Sequence, residues 1–228
     1  MKRILIILVA AVVMIGFINY RFRTASRGIP DPIVAQEQQK PAQSDAVQNN
    51  ADSTSISAGS PAAAGFVSPI NKAKERVTKK PFGIYITSKN SPVQPERFSG
   101  YHTGIDFETF SEEQNADVPV YAIASGKIVL EKWASGYGGV LVESGEINGQ
   151  PVTIIYGHVN LASINKKTGE NFNAGEKIGF LGKGFSQQTD GERKHLHLGI
   201  HRGAGVNVKG YSSAKGDLNN WIDPMILF

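Results

Sequence analysis

The apolar positions of this chain fall into three regimes. Ile4 to Tyr20 is an unbroken apolar run of seventeen residues with a single polar amide and no charge. From Gly28 to Gly65 the composition turns to Ala, Gln, Ser, Asn, Asp and Pro, without one aromatic residue. Beyond residue 66, short Val-, Ile- and Tyr-rich runs alternate with glycine turns. The runs Val118–Ile123, Lys127–Trp133, Gly139–Glu143, Val152–Tyr156, Lys177–Leu181 and Leu196–His201 have strand length, and the Ser-Gly-Tyr-Gly-Gly and Asn-Gly-Gln stretches between them suit tight turns. No stretch of this third region sustains a 3.6-residue period. The expectation is a mainly antiparallel β domain over 66–228, with a long loop near 160–175 that has room for a short helix.

The first regime predicts a membrane helix. Seventeen residues span about 25 Å at 1.5 Å per residue, close to the roughly 30 Å hydrocarbon core. Phe17, Tyr20 and Phe22 stand where an interfacial aromatic belt would lie. A cleavable signal peptide usually has a shorter apolar region of about 7–15 residues, so residues 1–27 are expected to remain as an anchor. The competing outcome is a secreted mature form beginning near Arg27. Residues 28–65 cannot bury enough apolar surface to offset their ordering entropy, which makes them a flexible linker. The basic stretch Lys72–Lys80 is either a short helix or the end of that linker.

Charge sharpens this division. The formal net charge of +4 splits into +5 over residues 1–27, −3 over 28–65 and +2 over the remainder. The folded region carries no basic run interleaved with aromatics, which argues against a nucleic-acid partner. The chain has no cysteine, which excludes a disulfide scaffold, a thiolate zinc site and a cysteine nucleophile. Ser135 and Ser186 lie outside any Gly-x-Ser-x-Gly elbow, and Gly182-Lys183-Gly184 lacks the phosphate-loop spacing. The glycine series also suits a lipoyl or biotinyl carrier fold, but no modifiable lysine of that class is present. Glu112-Glu113 reads as a solvated loop, and Trp133 and Trp221 as core or groove lining.

The chemistry concentrates in five histidines, all between 102 and 201. In His195-Leu196-His197 the two imidazoles are i and i+2, so a strand points both to one face. His102 and Asp106 would be about 13 Å apart on an extended strand, so they can share an ion only if the chain bends, which Gly104 permits. His158 follows an apolar run and should sit where a strand opens into a loop. Two imidazoles and a carboxylate form a plausible catalytic zinc set of charge +1 with one position open, and two more histidines nearby could move protons. His201 shares the strand parity of His195 and His197 but lies about 13 Å from His197, so it is expected outside the site.

His102-Thr103-Gly104-Ile105-Asp106-Phe107, Val120–Ile128, Tyr156-Gly157-His158 and His195-Leu196-His197 together resemble the lysostaphin/LytM-type murein endopeptidases over roughly residues 80–226. The resemblance implies a β-rich duplicated hybrid motif. It implies one Zn2+ held by His102, Asp106 and His197, with His158 and His195 as the catalytic histidines. It also implies cleavage of peptide bonds in peptidoglycan stems or cross-bridges, outside the cytoplasmic membrane. After the histidine pair this chain has Leu198 and Gly199 where the family often has an aromatic and an acid, a change that bears on the groove rather than the metal. The alternative function is a catalytically inactive relative that binds wall or activates other hydrolases. Such relatives characteristically lose ligands, whereas all five positions are filled here.

Overall fold

A computed structural model describes residues 65–228, and the expected anchor and linker at 1–27 and 28–65 lie outside the described residues, apart from Gly65. Among the described residues no helix is long and apolar enough to cross a membrane. The longest α-helix there is the four-residue α1, Ala73–Arg76.

Strands dominate, and every ladder is antiparallel. β1 (Tyr85–Ile86) pairs with β2 (Gly100–His102). After Thr103 the chain enters β3 (Gly104–Glu108) and changes sheet. β4 (Pro119–Tyr121) precedes a meander of β5 (Gly126–Ala134), β6 (Gly138–Ile147) and β7 (Gln150–Gly157). β8 (Asn171–Phe172) adds to β5, and β9 (Lys177–Phe180) pairs with β4. β10 (His195–Arg202) lies between β7 and β3, while β11 (Tyr211–Ser212) extends the β1–β2 sheet and β12 (Trp221–Ile222) pairs with the end of β10. Each of the six strand-like runs of the sequence contains or overlaps one of these strands. The loop near 160–175 holds a single 3₁₀ turn, Leu161–Ser163, and β8.

The central sheet is buried on both faces, and alternation assigns its residues. Leu141, Ile154, Tyr156, Leu196, Leu198 and Ile200 pack into the larger apolar cluster. Val140, Val142, Ile155, Tyr137 and Trp221 form a second, smaller one. Register places Val140, Gly157, His197 and Asp106 side by side on the second face. The histidines therefore share a face with a thin apolar layer and leave the main core intact.

Two expectations need correction, and one open alternative is decided. Of the two readings of the basic stretch Lys72–Lys80, the short helix is the one found: α1 covers four residues of it, and Arg76 and Lys80 are buried. Glu113 is not a free surface acid, because it takes both arms of the Arg76 guanidinium at 2.6 and 2.7 Å. Trp133 is neither core nor lining of the histidine cavity described below; it is 47% exposed, with its indole N–H donating to the Gln187 carbonyl. Trp221 is buried, as its apolar ring favours.

Candidate metal and catalytic site

Three strands deliver the site. β2 ends on His102, β3 carries Asp106, and β10 carries His195 and His197. Asp106 and His197 are direct cross-strand partners, so their side chains rise together from one face. His102 joins them because Thr103 separates two strands that belong to different sheets, giving the bend the spacing demanded. Gly104 contributes space more than backbone freedom. A Cβ there would lie 2.3 Å from the Leu198 carbonyl oxygen and 2.8 Å from His197 Nε2. Gly157, opposite His197 on β7, acts alike, since a Cβ would sit 2.4 Å from the Tyr137 ring.

The ligand atoms form a nearly equilateral triangle. His102 Nε2 lies 3.0 Å from His197 Nδ1, and Asp106 Oδ1 lies 3.2 Å from each of them. With zinc–nitrogen and zinc–oxygen bonds of about 2.0–2.1 Å, the edge of a tetrahedral site is about 3.3 Å. The three residues therefore fit one face of a zinc tetrahedron. Their outer contacts fit too. His102 Nδ1–H donates to the Pro81 carbonyl at 3.2 Å, which fixes the tautomer that leaves Nε2 with its lone pair. The second oxygen of Asp106 accepts from Arg193 at 2.9 Å, which leaves Oδ1 for the cluster.

Arg193 was not singled out by the sequence. It also makes a paired contact with Glu108 through Nε and Nη2, and the two charges cancel. A zinc ion with Asp106 would still leave the site at +1. The adjacency of Arg193 to the histidine pair, and of Glu108 to Asp106 at i+2 on one strand face, is the signal that was available. Burial opposes ionisation of Asp106, yet His195 and His102 hold its carboxyl well below the usual range. Glu108 is likewise lowered, burial being outweighed by the Arg193 hydrogen bonds and charge.

The two remaining histidines form a second unit beside the triangle. Their ring centroids are 4.1 Å apart. His195 Nδ1–H donates to the Arg193 carbonyl at 2.9 Å, and its Nε2 lies 3.3 Å from Asp106 Oδ2. His158 stands just past β7 with φ +61°, an uncommon region for a non-glycine residue that is often retained at functional positions. Burial first, then the neighbouring His195, pushes its pKa well below the ordinary value, so it is neutral at physiological pH. Its Nδ1 has no hydrogen-bond partner among the described residues. Tyr137 packs against both His158 and His197, with centroids at 5.4 and 5.2 Å. A cavity of about 340 Å³ opens over this group, lined among others by His158, His195, His197, Tyr137 and Tyr211. His201 is apart, half-buried and edge-on to Trp221 at 4.9 Å.

Residues 100–209 match the profile of peptidase family M23, as the motif resemblance implied. Among solved structures the chain is similar to LytU, at 26% identity and a TM-score of 0.44 over 65% of this chain and 81% of that one. It is similar to CbpA from L. salivarius REN, at 23% identity and a TM-score of 0.47, covering 72% and 94%. A zinc containing peptidase from Vibrio cholerae gives 24% identity and a TM-score of 0.39, covering 61% of this chain and 37% of that one. No curated protein matches the chain.

Proposed function

Residues 100–209 belong to peptidase family M23, and from that premise we propose that this chain is a zinc-dependent endopeptidase of peptidoglycan stems or cross-bridges. The observation that carries the reading is the 3.0–3.2 Å triangle of His102, Asp106 and His197 beside a second pair of histidines. His102 through Nε2, Asp106 through Oδ1 and His197 through Nδ1 would hold one zinc ion. When bound, zinc supplies Lewis-acid polarisation of the scissile carbonyl and acidifies a water.

The remaining chemistry falls to side chains. Because His195 Nδ1–H is tied to the Arg193 carbonyl, its Nε2 presents a lone pair that can take a proton. His158, kept neutral by burial, can do the same or donate from its protonated nitrogen. One of the two accepts the proton of the attacking water while the other hydrogen-bonds the carbonyl oxygen as it gains charge. That proton then passes to the leaving amine. The apolar run Ile4–Tyr20 would anchor the chain in the cytoplasmic membrane, with the linker letting the domain reach the wall on the outer side.

Full-length protein loaded with zinc and incubated with defined peptidoglycans should release muropeptides identifiable by mass spectrometry, and chelation should abolish the release. Stoichiometric zinc with no released peptide from any wall type would instead favour the inactive, wall-binding reading.

A further inference from the structure

Lys80 and Glu96 form a buried ion pair at 2.6 Å, with side chains only 2% and 1% exposed. Both precede the segment that matches the family profile. The pair is fully committed. Lys80 Nζ also donates to the Tyr211 hydroxyl at 3.0 Å. Glu96 accepts from the Ser91 hydroxyl at 2.7 Å and the Phe98 N–H at 2.9 Å. Such a pair seldom adds stability over apolar side chains of similar size, because desolvation offsets the attraction. Its position suggests what else it does.

The carbonyl of Lys80 accepts the Asp106 N–H at 3.1 Å, and the next carbonyl, that of Pro81, accepts His102 Nδ1–H at 3.2 Å. Two consecutive carbonyls thus hold both residues of the His-x-x-x-Asp motif. The same lysine fixes Tyr211, whose ring stacks on His102 with centroids 5.1 Å apart and planes 30° apart. His102 is therefore clamped between the Pro81 carbonyl and the Tyr211 ring, and one lysine adjoins both sides of the clamp, its ammonium on the Tyr211 hydroxyl and its backbone leading into Pro81. We propose that Lys80, locked by Glu96, is a positioning residue that orients His102 and Asp106 for the metal, so that a segment outside the family core sets metal affinity. This rests on the reading that His102, Asp106 and His197 hold zinc.

The test replaces both charges at once, Lys80→Met with Glu96→Leu, so that neither is left buried alone. Zinc affinity of the full chain is measured by chelator competition, and Tm is measured on the metal-free protein. The metal-free Tm should stay within a few degrees of the parent, while zinc affinity falls by about 10–100-fold, the usual effect of losing an outer contact to a ligand. Val152→Ala, in the core at the far end of β7, should lower Tm and leave zinc affinity unchanged. Tyr211→Phe, which keeps the stack and removes only the hydroxyl, should weaken zinc in the same direction by a smaller factor, and it decides the matter should the double variant fail to fold. Parent-like zinc affinity in the double variant and in Tyr211→Phe overturns the proposal. So does a loss in Val152→Ala as large as theirs, since the effect would then be general destabilisation. A parent protein that binds no zinc overturns the metal reading itself, a separate result.

Discussion

Asp106 and Glu143 are both buried carboxyl groups in the same central sheet, 2% and 0% exposed, yet they sit in opposite electrostatic worlds. Register puts them on opposite faces: Asp106 shares a row with His197, Gly157 and Val140, whereas Glu143 shares one with Ile154 and points into the larger apolar cluster. Asp106 meets three histidines and Arg193, which outweigh burial and keep it ionised. Glu143 meets one hydroxyl, that of Tyr156 at 3.0 Å, and burial pushes its pKa up to about 8. Depth alone therefore does not decide the charge of an acid. The partners on each face do, and only one face has been supplied with groups that can hold a cation.

The largest effect should come from breaking the charged face. Asp106→Ala and His197→Ala each remove one of the three proposed ligands, so zinc retained after desalting and hydrolysis should collapse together. His195→Ala and His158→Ala should separate those readouts. They leave the triangle intact, so zinc stays near stoichiometric while hydrolysis drops by about 10²–10⁴-fold, the range for a lost acid–base group. Metal loss in His195→Ala with retention in His197→Ala would reverse the two roles.

Why those residues could be named from the sequence, and others not, is itself physical. Alternation on a strand is a local rule, so the common face of His195 and His197 was legible from two residues of spacing. The bend between His102 and Asp106 could be required but not built, because it depends on Thr103 standing between two sheets. Gly104 was read as a hinge, and only the approach of the Leu198 carbonyl and the His197 ring reveals it as a spacer. Arg193 is marked only by its adjacency to the histidine pair, and Lys80 and Tyr211 carry no motif signal. Their roles come from contacts across 87 residues to Asp106 and 131 residues between Lys80 and Tyr211, which no local pattern encodes. Lys72–Lys80 reads from the sequence as either a short helix or the end of the linker, and the burial of Arg76 and Lys80 within it depends on Glu113, Glu96 and a backbone carbonyl that the spacing does not reveal.

The neutral face should reveal itself in the pH dependence of stability. Glu143 has a folded pKa near 8, above its ordinary 4.5. Its contribution is fully present below about pH 4.5 and is lost as pH rises through about 8. His197 runs the other way. Burial lowers it to about 4 from 6.5, so its contribution is present above 6.5 and lost as pH falls through about 4. Metal-free protein should therefore lose Tm at both ends. Glu143→Gln keeps an acceptor for Tyr156 but cannot ionise, so it should raise stability at pH 9 by about 1–3 kcal/mol, read as a higher Tm, and change it little at pH 5. Hydrolysis and zinc content should remain those of the parent. An unaltered alkaline limb in Glu143→Gln would mean that this carboxyl is already ionised in the fold.

The smallest expected effect is the most demanding test of the geometry, because His201 lies on the same strand and the same face as the two site histidines. Only distance along β10 separates them, about 13 Å from His197 at strand spacing. At that end of the strand the local partners are Trp221 and Thr153, and the imidazole meets an indole edge instead of the His102–Asp106–His197 triangle. Burial lowers its pKa, which keeps the ring neutral and suited to that apolar contact. His201→Ala should therefore lower Tm by a few degrees at most, on the order of 0.5–1.5 kcal/mol for one aromatic contact, with zinc content and hydrolysis within about twofold of the parent. A tenfold loss of hydrolysis at unchanged zinc would extend the catalytic face along the whole of β10, and the division between a charged end and an apolar end of that strand would have to be abandoned.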